Sequence, residues 1–164
     1  MPSILFVCMA NRFRSPLAAA FFRQCLEKKG MADSWQVSSA GMWAEPGQPV
    51  PEPVQEIAGQ YGLDLSGHRS RRVDRELLAS QDLVLVMQAS QREALLTEFP
   101  EFEGSVHELS QVAECRTYDI PDACASGQEV LEIIVELDDL VRCGFESICE
   151  LAVSLYNSRH AQAA

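Results

Sequence analysis

The chain reads as a three-layer α/β sandwich around a four-stranded parallel sheet, on three observations. Strand-like and helix-like segments alternate along its 164 residues, the pattern of successive βαβ units. The clearest strand segments, SILFV at 3–7 and DLVLVM at 82–87, are continuously apolar, as strands covered on both faces must be. The loop that follows the first of them leads directly into a proline-started helix. It therefore lies at the carboxyl end of a strand, where open α/β sheets bind their ligands.

The elements follow in order. Strand 3–7 is succeeded by a helix with Ser15 as its expected N-cap, Pro16 in its first turn, a body over 17–29 and a stop at Gly30. A second strand over 35–40 precedes GMWAEPGQPVPEP at 41–53, too rich in Gly and Pro for a helix. Residues 54–61 form a short helix closed by Gly62, and 75–80 form another helical piece. After strand 82–87 comes a helix near 90–98, ended by Pro100, then a weak fourth strand at 105–109. The segment SQVAECRTYDIPDACASG at 110–127 reads as irregular and should lie above the strand ends. From Gln128 onward, Val130, Ile133, Ile134, Leu137, Leu140 and Val141 recur at helical spacing, and Ile148, Leu151, Ala152 and Leu155 resume it. The expectation is one long amphipathic helix bent at Gly144. Residues 1–157 make a single domain and 158–164 a frayed tail.

Charge and cysteine usage narrow the function. A net charge of -11 argues against nucleic acid, which is held by excess Lys and Arg, so an anionic ligand would need a local basic pocket. The apolar run at 4–10 is interrupted by Asn11 and Arg12, which fits neither a signal peptide nor a membrane span and gives a cytoplasmic expectation. Six cysteines at 8, 25, 115, 124, 143 and 149 contain no CxxC pair, and the histidines at 68, 107 and 160 are isolated. Neither a disulfide scaffold nor a metal site is expected, and no cofactor motif is present.

The loop from Cys8 to Ser15 carries the chemistry. Backbone amides of such an arc, here those of Met9, Ala10, Asn11, Arg12, Phe13, Arg14 and Ser15, suit an oxyanion together with the helix dipole. Arg14 adds a planar fork able to grip two oxygens at once, and the same positive field favours the nucleophilic thiolate form of a cysteine. Ser15 can donate a hydrogen bond to that sulfur. A cysteine at a strand end is ordinarily a small hydrophobe, and an arginine in a first helical turn is ordinarily solvated. The joint spacing decides against both, since only Cys8 among the six cysteines has an arginine six residues later. Position alone leaves two acids, Asp119 and Asp122, as partners.

The stretch CMANRFRSP at 8–16 resembles the phosphate-binding loop of the low-molecular-weight protein tyrosine phosphatases. SSAGMW (38–43), GLDLSGHRSR (62–71), DLVLVM (82–87), FPE (99–101) and YDIPDA (118–123) resemble that family's segments in its order. The resemblance implies a phosphorylated protein, or a small aryl phosphate, as substrate. It implies attack by Cys8 to form a phosphocysteine, with Arg14 and the loop amides on the equatorial oxygens. It selects Asp122 as the acid that protonates the leaving oxygen and then activates water. Asn11, Ser15, Ser39 and His68 correspond to the polar network that holds the family's loop, and Asn11 suits the positive φ a tight arc needs. Trp43 corresponds to a wall for an aromatic substrate.

The sequence also departs from that pattern. Phe13 stands where the family often has a second cysteine, Ala10 where Gly is frequent, and Arg12 where an apolar residue is usual. Arg12 should make the rim more basic and suited to acidic substrates. Ala123 and Cys124 replace a Pro-aromatic pair, which weakens the expectation of tyrosine specificity and leaves Cys124 as a loop cysteine or a distant resolving thiol. The run HRSRRVDR at 68–75 reads as a solvated face, with a docking patch for acidic partners as the alternative. Two rival functions remain: an arsenate reductase of the same fold, though the segment that directly follows DLVLVM contains none of the resolving cysteines such an enzyme requires, and a silent oxyanion-binding module. A nucleotide-binding P-loop is excluded because GxxxxGK[ST] is absent.

Overall fold

The computed structural model describes residues 1–122 and 127–161. Four strands, β1 (Ser3–Cys8), β2 (Gln36–Gly41), β3 (Leu83–Val86) and β4 (Val106–Glu108), form one parallel sheet in the order β2-β1-β3-β4. The central strand β1 is buried along its whole length. Its alternate side chains feed two cores: Ile4, Phe6 and Cys8 on one face, Leu5 and Val7 on the other. That two-sided burial is why its sequence is continuously apolar, and it is the three-layer sandwich expected from the sequence.

The helices are α1 (Arg14–Lys28), α2 (Glu52–Gln60), α3 (Arg75–Ala79), α4 (Ala89–Glu98), α5 (Leu109–Glu114), α6 (Gly127–Cys143) and α7 (Phe145–Ala161), with single 3-10 turns at Ala32–Ser34 and Pro100–Phe102. The larger core lies under α1, α2, α6 and α7, where Phe22 packs against Phe6, Trp35 and Phe145 with ring centres 5.1 to 6.1 Å apart. The smaller core, under α3 and α4, gathers Leu78 and Leu95 against Val84 and Val86. Among the described residues no helix is long and apolar enough to cross a membrane.

Four expectations change. Ser15 is not the N-cap of α1. The helix begins at Arg14 with Phe13 at the cap position and no side-chain cap, because the Ser15 hydroxyl is engaged elsewhere. The segment after β4 is not wholly irregular, since α5 occupies its first turns and ends at Cys115 with φ 55. The tail does not fray at 158: α7 runs to Ala161, where Arg159 bonds the carbonyls of Ala79 and Gln81 and pairs with buried Asp82 at 3.3 Å. Residues 162–164 lie outside the described residues.

The fourth concerns the C-terminal helix, which is divided into α6 and α7 at Gly144. The hydrogen-bond ladder still crosses the break, from Gly144 N–H to Leu140 O and from Ile148 N–H to Gly144 O, both at 2.9 Å. The glycine is required by α5. A Cβ on Gly144 would stand 2.3 Å from the Ala113 side chain and 2.6 Å from its Cα. Gly144→Ala should therefore lower unfolding free energy by about 1 to 3 kcal/mol in denaturant titration, despite alanine's better helix propensity. Unchanged stability would contradict this close approach.

Candidate active site

The loop that leaves β1 is shaped by one residue. Asn11 is fully buried and adopts φ 55, a left-handed conformation that asparagine reaches more easily than most side chains. Its amide nitrogen donates to Ser15 Oγ and Ser39 Oγ, each at 2.9 Å. Its Oδ1 accepts from the Arg71 backbone N–H at 3.0 Å, and its carbonyl accepts from His68 Nε2 at 2.8 Å. Every polar atom of the side chain is matched, so the conformation is held from four directions.

The loop is also pressed against β2. Cys8 O accepts from Met42 N–H and Met9 O from Trp43 N–H, both at 2.9 Å, extending the β1–β2 pairing past the strand ends. Gly41 sits beneath: a Cβ there would meet Met9 O at 2.7 Å and Asn11 N at 2.8 Å. With its carbonyls turned outward to these partners, no backbone amide from Met9 to Ser15 donates to an acceptor among the described residues. Amides left this way at the start of an uncapped helix are a ready receptor for an oxyanion.

Cys8 and Arg14 face this arc, 3 % and 1 % exposed. Cys8 Sγ lies 3.0 Å from Ser15 Oγ, and Ser15 Oγ is also 3.2 Å from Ala40 O. A hydroxyl has one proton. It can point to Ala40 O while the sulfur carries its own proton, and swing to the sulfur when that proton is lost, since Asn11 already supplies the donor that the oxygen accepts. Arg14 donates through Nη1 to Ile120 O and through Nη2 to Asp122 Oδ2, both at 2.8 Å, while its buried Nε has no partner among the described residues.

The two candidate acids separate clearly. Asp119 Oδ1 accepts from Ala89 N–H at 2.8 Å and so holds the first turn of α4. Asp122 pairs with Arg14 at the loop, and its side chain remains 52 % exposed. The segment that carries it is fixed by Ser110 Oγ, which bonds Tyr118 at both its N–H and its carbonyl, and by Ile120 N–H on Met87 O at 2.9 Å.

The remaining predicted residues divide. Ser39 and His68 join the loop network, while Met9 and Trp43 stand exposed at the rim. The Phe13 ring is not at the mouth: it packs in the main core, so only its backbone belongs to the arc. Arg12 is half-buried, with Nε on Pro49 O at 3.0 Å. Cys124 lies outside the described residues.

Gly41 and Arg71 are two supports that the sequence did not reveal. Arg71 donates from Nε to Ser39 O at 2.9 Å, and its carbonyl accepts from Gly41 N–H at 2.9 Å. Residues 70–73 thus run along the outer edge of β2 and form a bridge at Gly41 and Arg72, more than the solvated face expected. A run of arginines resembles any exposed loop, and no local signal marks which one turns inward.

Burial lowers the proton affinity of His68 below its ordinary 6.5, and the nearby Arg23, Arg69 and Arg71 add to this against the contrary pull of the Asn11 carbonyl. A carbonyl only accepts, so the neutral ring carries its proton on Nε2. The stability it contributes is complete above the unfolded value and lost as pH falls through the lower folded one. Thermal stability should fall as pH drops below the ordinary imidazole value of 6.5, and His68→Gln, which keeps the donor, should flatten that slope. Parallel profiles would exclude His68 as the group responsible.

Comparison with known proteins gives the family. A family model described as low molecular weight phosphotyrosine protein phosphatase matches residues 3–150. A probable low molecular weight protein-tyrosine-phosphatase, EpsP, of Ralstonia nicotianae is 34% identical over 136 residues, covering 80% of this chain and 88% of that one. A protein-arginine-phosphatase of Bacillus subtilis is 30% identical over 141 residues, covering 85% and 91%. The crystal structure of a low molecular weight protein tyrosine phosphatase from T. tengcongensis superposes with a TM-score of 0.81 at 28% identity, covering 89% of this chain and 99% of that one.

Proposed function

The chain belongs to the low molecular weight phosphotyrosine protein phosphatase family, and from that premise we propose a two-step hydrolysis of phosphotyrosyl proteins on Cys8, Arg14 and Asp122. It is a cysteine-dependent phosphatase with phosphoprotein or phosphotyrosine-type substrates. The observation that carries the residue assignment is the run of unpartnered amides around Cys8, closed by the Arg14–Asp122 pair.

In the first step the Cys8 thiolate attacks phosphorus in line. The S–P bond forms as the bond to the leaving oxygen breaks, and Ser15 O–H, which is turned onto the thiolate before attack, loosens its hold as that charge passes into the new bond. The loop amides and the Arg14 guanidinium hold the three equatorial oxygens. The incoming anion takes over Arg14 and releases the half-exposed Asp122 carboxylate, which takes up a proton from solvent beside the phosphate charge and passes it to the leaving oxygen. In the second step the Asp122 carboxylate draws a proton from water. The water oxygen attacks phosphorus, the S–P bond breaks, and phosphate and the Cys8 thiolate are regenerated. Asp119, spent on the start of α4, has no part in the chemistry.

The reading includes a cytoplasmic site of action, supported by the thiols: the five cysteines among the described residues are all free. A phosphatase needs no resolving cysteine, which sets the arsenate reductase alternative aside. A second substrate, phosphoarginine, is favoured by a pocket of about 270 Å³ beside Asp122 that Glu129, Glu132 and Glu136 also line. Burial and the charge of Glu114 raise the proton affinity of Glu136, and a guanidinium would relieve that repulsion. Paired phosphotyrosyl and phosphoarginyl peptides of one sequence distinguish the two.

Cys8→Ser should abolish hydrolysis of p-nitrophenyl phosphate. Asp122→Ala should lower kcat by about 10²- to 10⁴-fold, more for phenyl phosphate, whose leaving oxygen is more basic, than for p-nitrophenyl phosphate. Asp119→Ala should leave kcat near wild type at a temperature where the protein is folded. Turnover that survives loss of Cys8, or that follows Asp119 instead of Asp122, would overturn the assignment.

A further inference from the structure

The mouth of the site has an unusual cation on one side. Trp43 is 62 % exposed, and the Arg72 guanidinium lies over its ring at 5.1 Å. Both are tied to the phosphate loop through the backbone. Trp43 N–H bonds Met9 O, Arg72 pairs in parallel with Gly41, and Gly41 supports Met9 and Asn11 from below. The 45–49 stretch closes the ring of contacts: Gly47 N–H bonds Ser70 O at 2.8 Å, Gln48 N–H bonds Ser70 Oγ at 2.9 Å, and Pro49 O holds Arg12. Arg12 and Arg72 thus belong to one braced ledge beside Cys8.

Their charges are unanswered. The chain carries 24 acidic residues against 13 basic ones, so a surface arginine has carboxylates in plenty to choose from. Among the described residues no ion pair includes Arg12 or Arg72; the arginines that form ion pairs are 14, 75, 142 and 159. Arg69 and Arg71, on the same stretch, spend their donors on backbone carbonyls, and Glu45, the acid nearest in the loop, makes no ion pair. The cation–π contact with Trp43 uses none of the Arg72 N–H donors in a hydrogen bond and leaves them for an acceptor. The stack also fixes a long side chain in advance, which lowers the entropy cost of using it.

The far side of the mouth has the opposite sign. Ile120 N–H on Met87 O places the acid segment at the end of β3, with Asp122, Glu129, Glu132 and Glu136 around one pocket. Strand β1 lies between β2 and β3, so the cationic ledge and the acidic wall flank Cys8 from opposite sides. A substrate segment with acidic side chains is attracted on one side and repelled on the other, which sets its direction across the site.

We infer that Arg72, laid on Trp43, is a specificity residue that receives a carboxylate flanking the phosphorylated side chain, so that the enzyme prefers acidic phosphotyrosyl segments. The inference rests on the phosphotyrosine reading above and names its substrate class more closely. Arg72 touches neither the phosphate nor the reacting atoms. Its effect belongs in KM and in the dependence on salt, with kcat left alone.

The test compares two phosphotyrosyl peptides of equal length, one with Asp and Glu flanks and one with Ser and Ala flanks, at low and high ionic strength. The native protein should favour the acidic peptide by about fivefold in kcat/KM at low salt, the upper range for an exposed ion pair, and the preference should shrink as salt screens it. Arg72→Gln should bring the ratio of the two peptides close to one, and Arg72→Glu should reverse it. p-Nitrophenyl phosphate separates the possible failures. A native protein that hydrolyses it without any preference between peptides, or whose preference survives Arg72→Glu, overturns this inference alone. One that cannot hydrolyse it overturns the phosphatase reading and this inference with it.

Discussion

The left-handed turn at Asn11 is the constraint on which the site depends. An anion-binding arc must direct successive amides to one point, and that geometry has no regular ladder to hold it. Here the strain is met at a wholly buried residue that donates to Ser15 and Ser39 and accepts from His68 and the backbone N–H of Arg71. The same bonds deliver Ser15 Oγ to the sulfur of Cys8, since Asn11 donates to the oxygen and leaves its proton free to serve elsewhere. Shape and reactivity therefore share one network. Such a network is strong only when every member is satisfied, and this one is closed by Gly41, which lets the loop come within van der Waals contact of β2.

Arg14 links this arc to the rest of the fold. A buried guanidinium is costly unless its donors are matched, and its two matches, Ile120 O and Asp122, come from the segment that crosses over from β4. Ile120 is itself fully buried and bonded to the end of β3. Asp122, half-exposed, is thus registered against Cys8 through the sheet by the hydrogen bond of Ile120 to the end of β3.

How much of this was legible followed from range in sequence. The spacing of Cys8, Arg14, Ser15 and Pro16 lies within one strand-loop-helix unit, and the continuous apolar character of β1 and β3 reports burial on two faces, so loop and sheet could both be read locally. Asn11 was legible because few side chains suit its conformation. Ser15 was read both as a cap and as a donor to the Cys8 sulfur, and the two uses compete: a hydroxyl 3.0 Å from the sulfur and 3.2 Å from Ala40 O does not serve the helix end. The Phe13 ring, the inward turn of Arg71, the helix α5 and the division of labour between Asp119 and Asp122 depend on partners 30 or more residues away or on packing. No local pattern encodes them.

The most direct test of the account is to catch the covalent intermediate. Mixing the native protein with excess p-nitrophenyl phosphate, quenching in acid within one turnover and mapping the peptides by mass should find one added phosphoryl group on the peptide that carries Cys8, labile at the rate of steady-state turnover. An adduct on another residue, or unimpaired hydrolysis with the Cys8 peptide never modified, would contradict it.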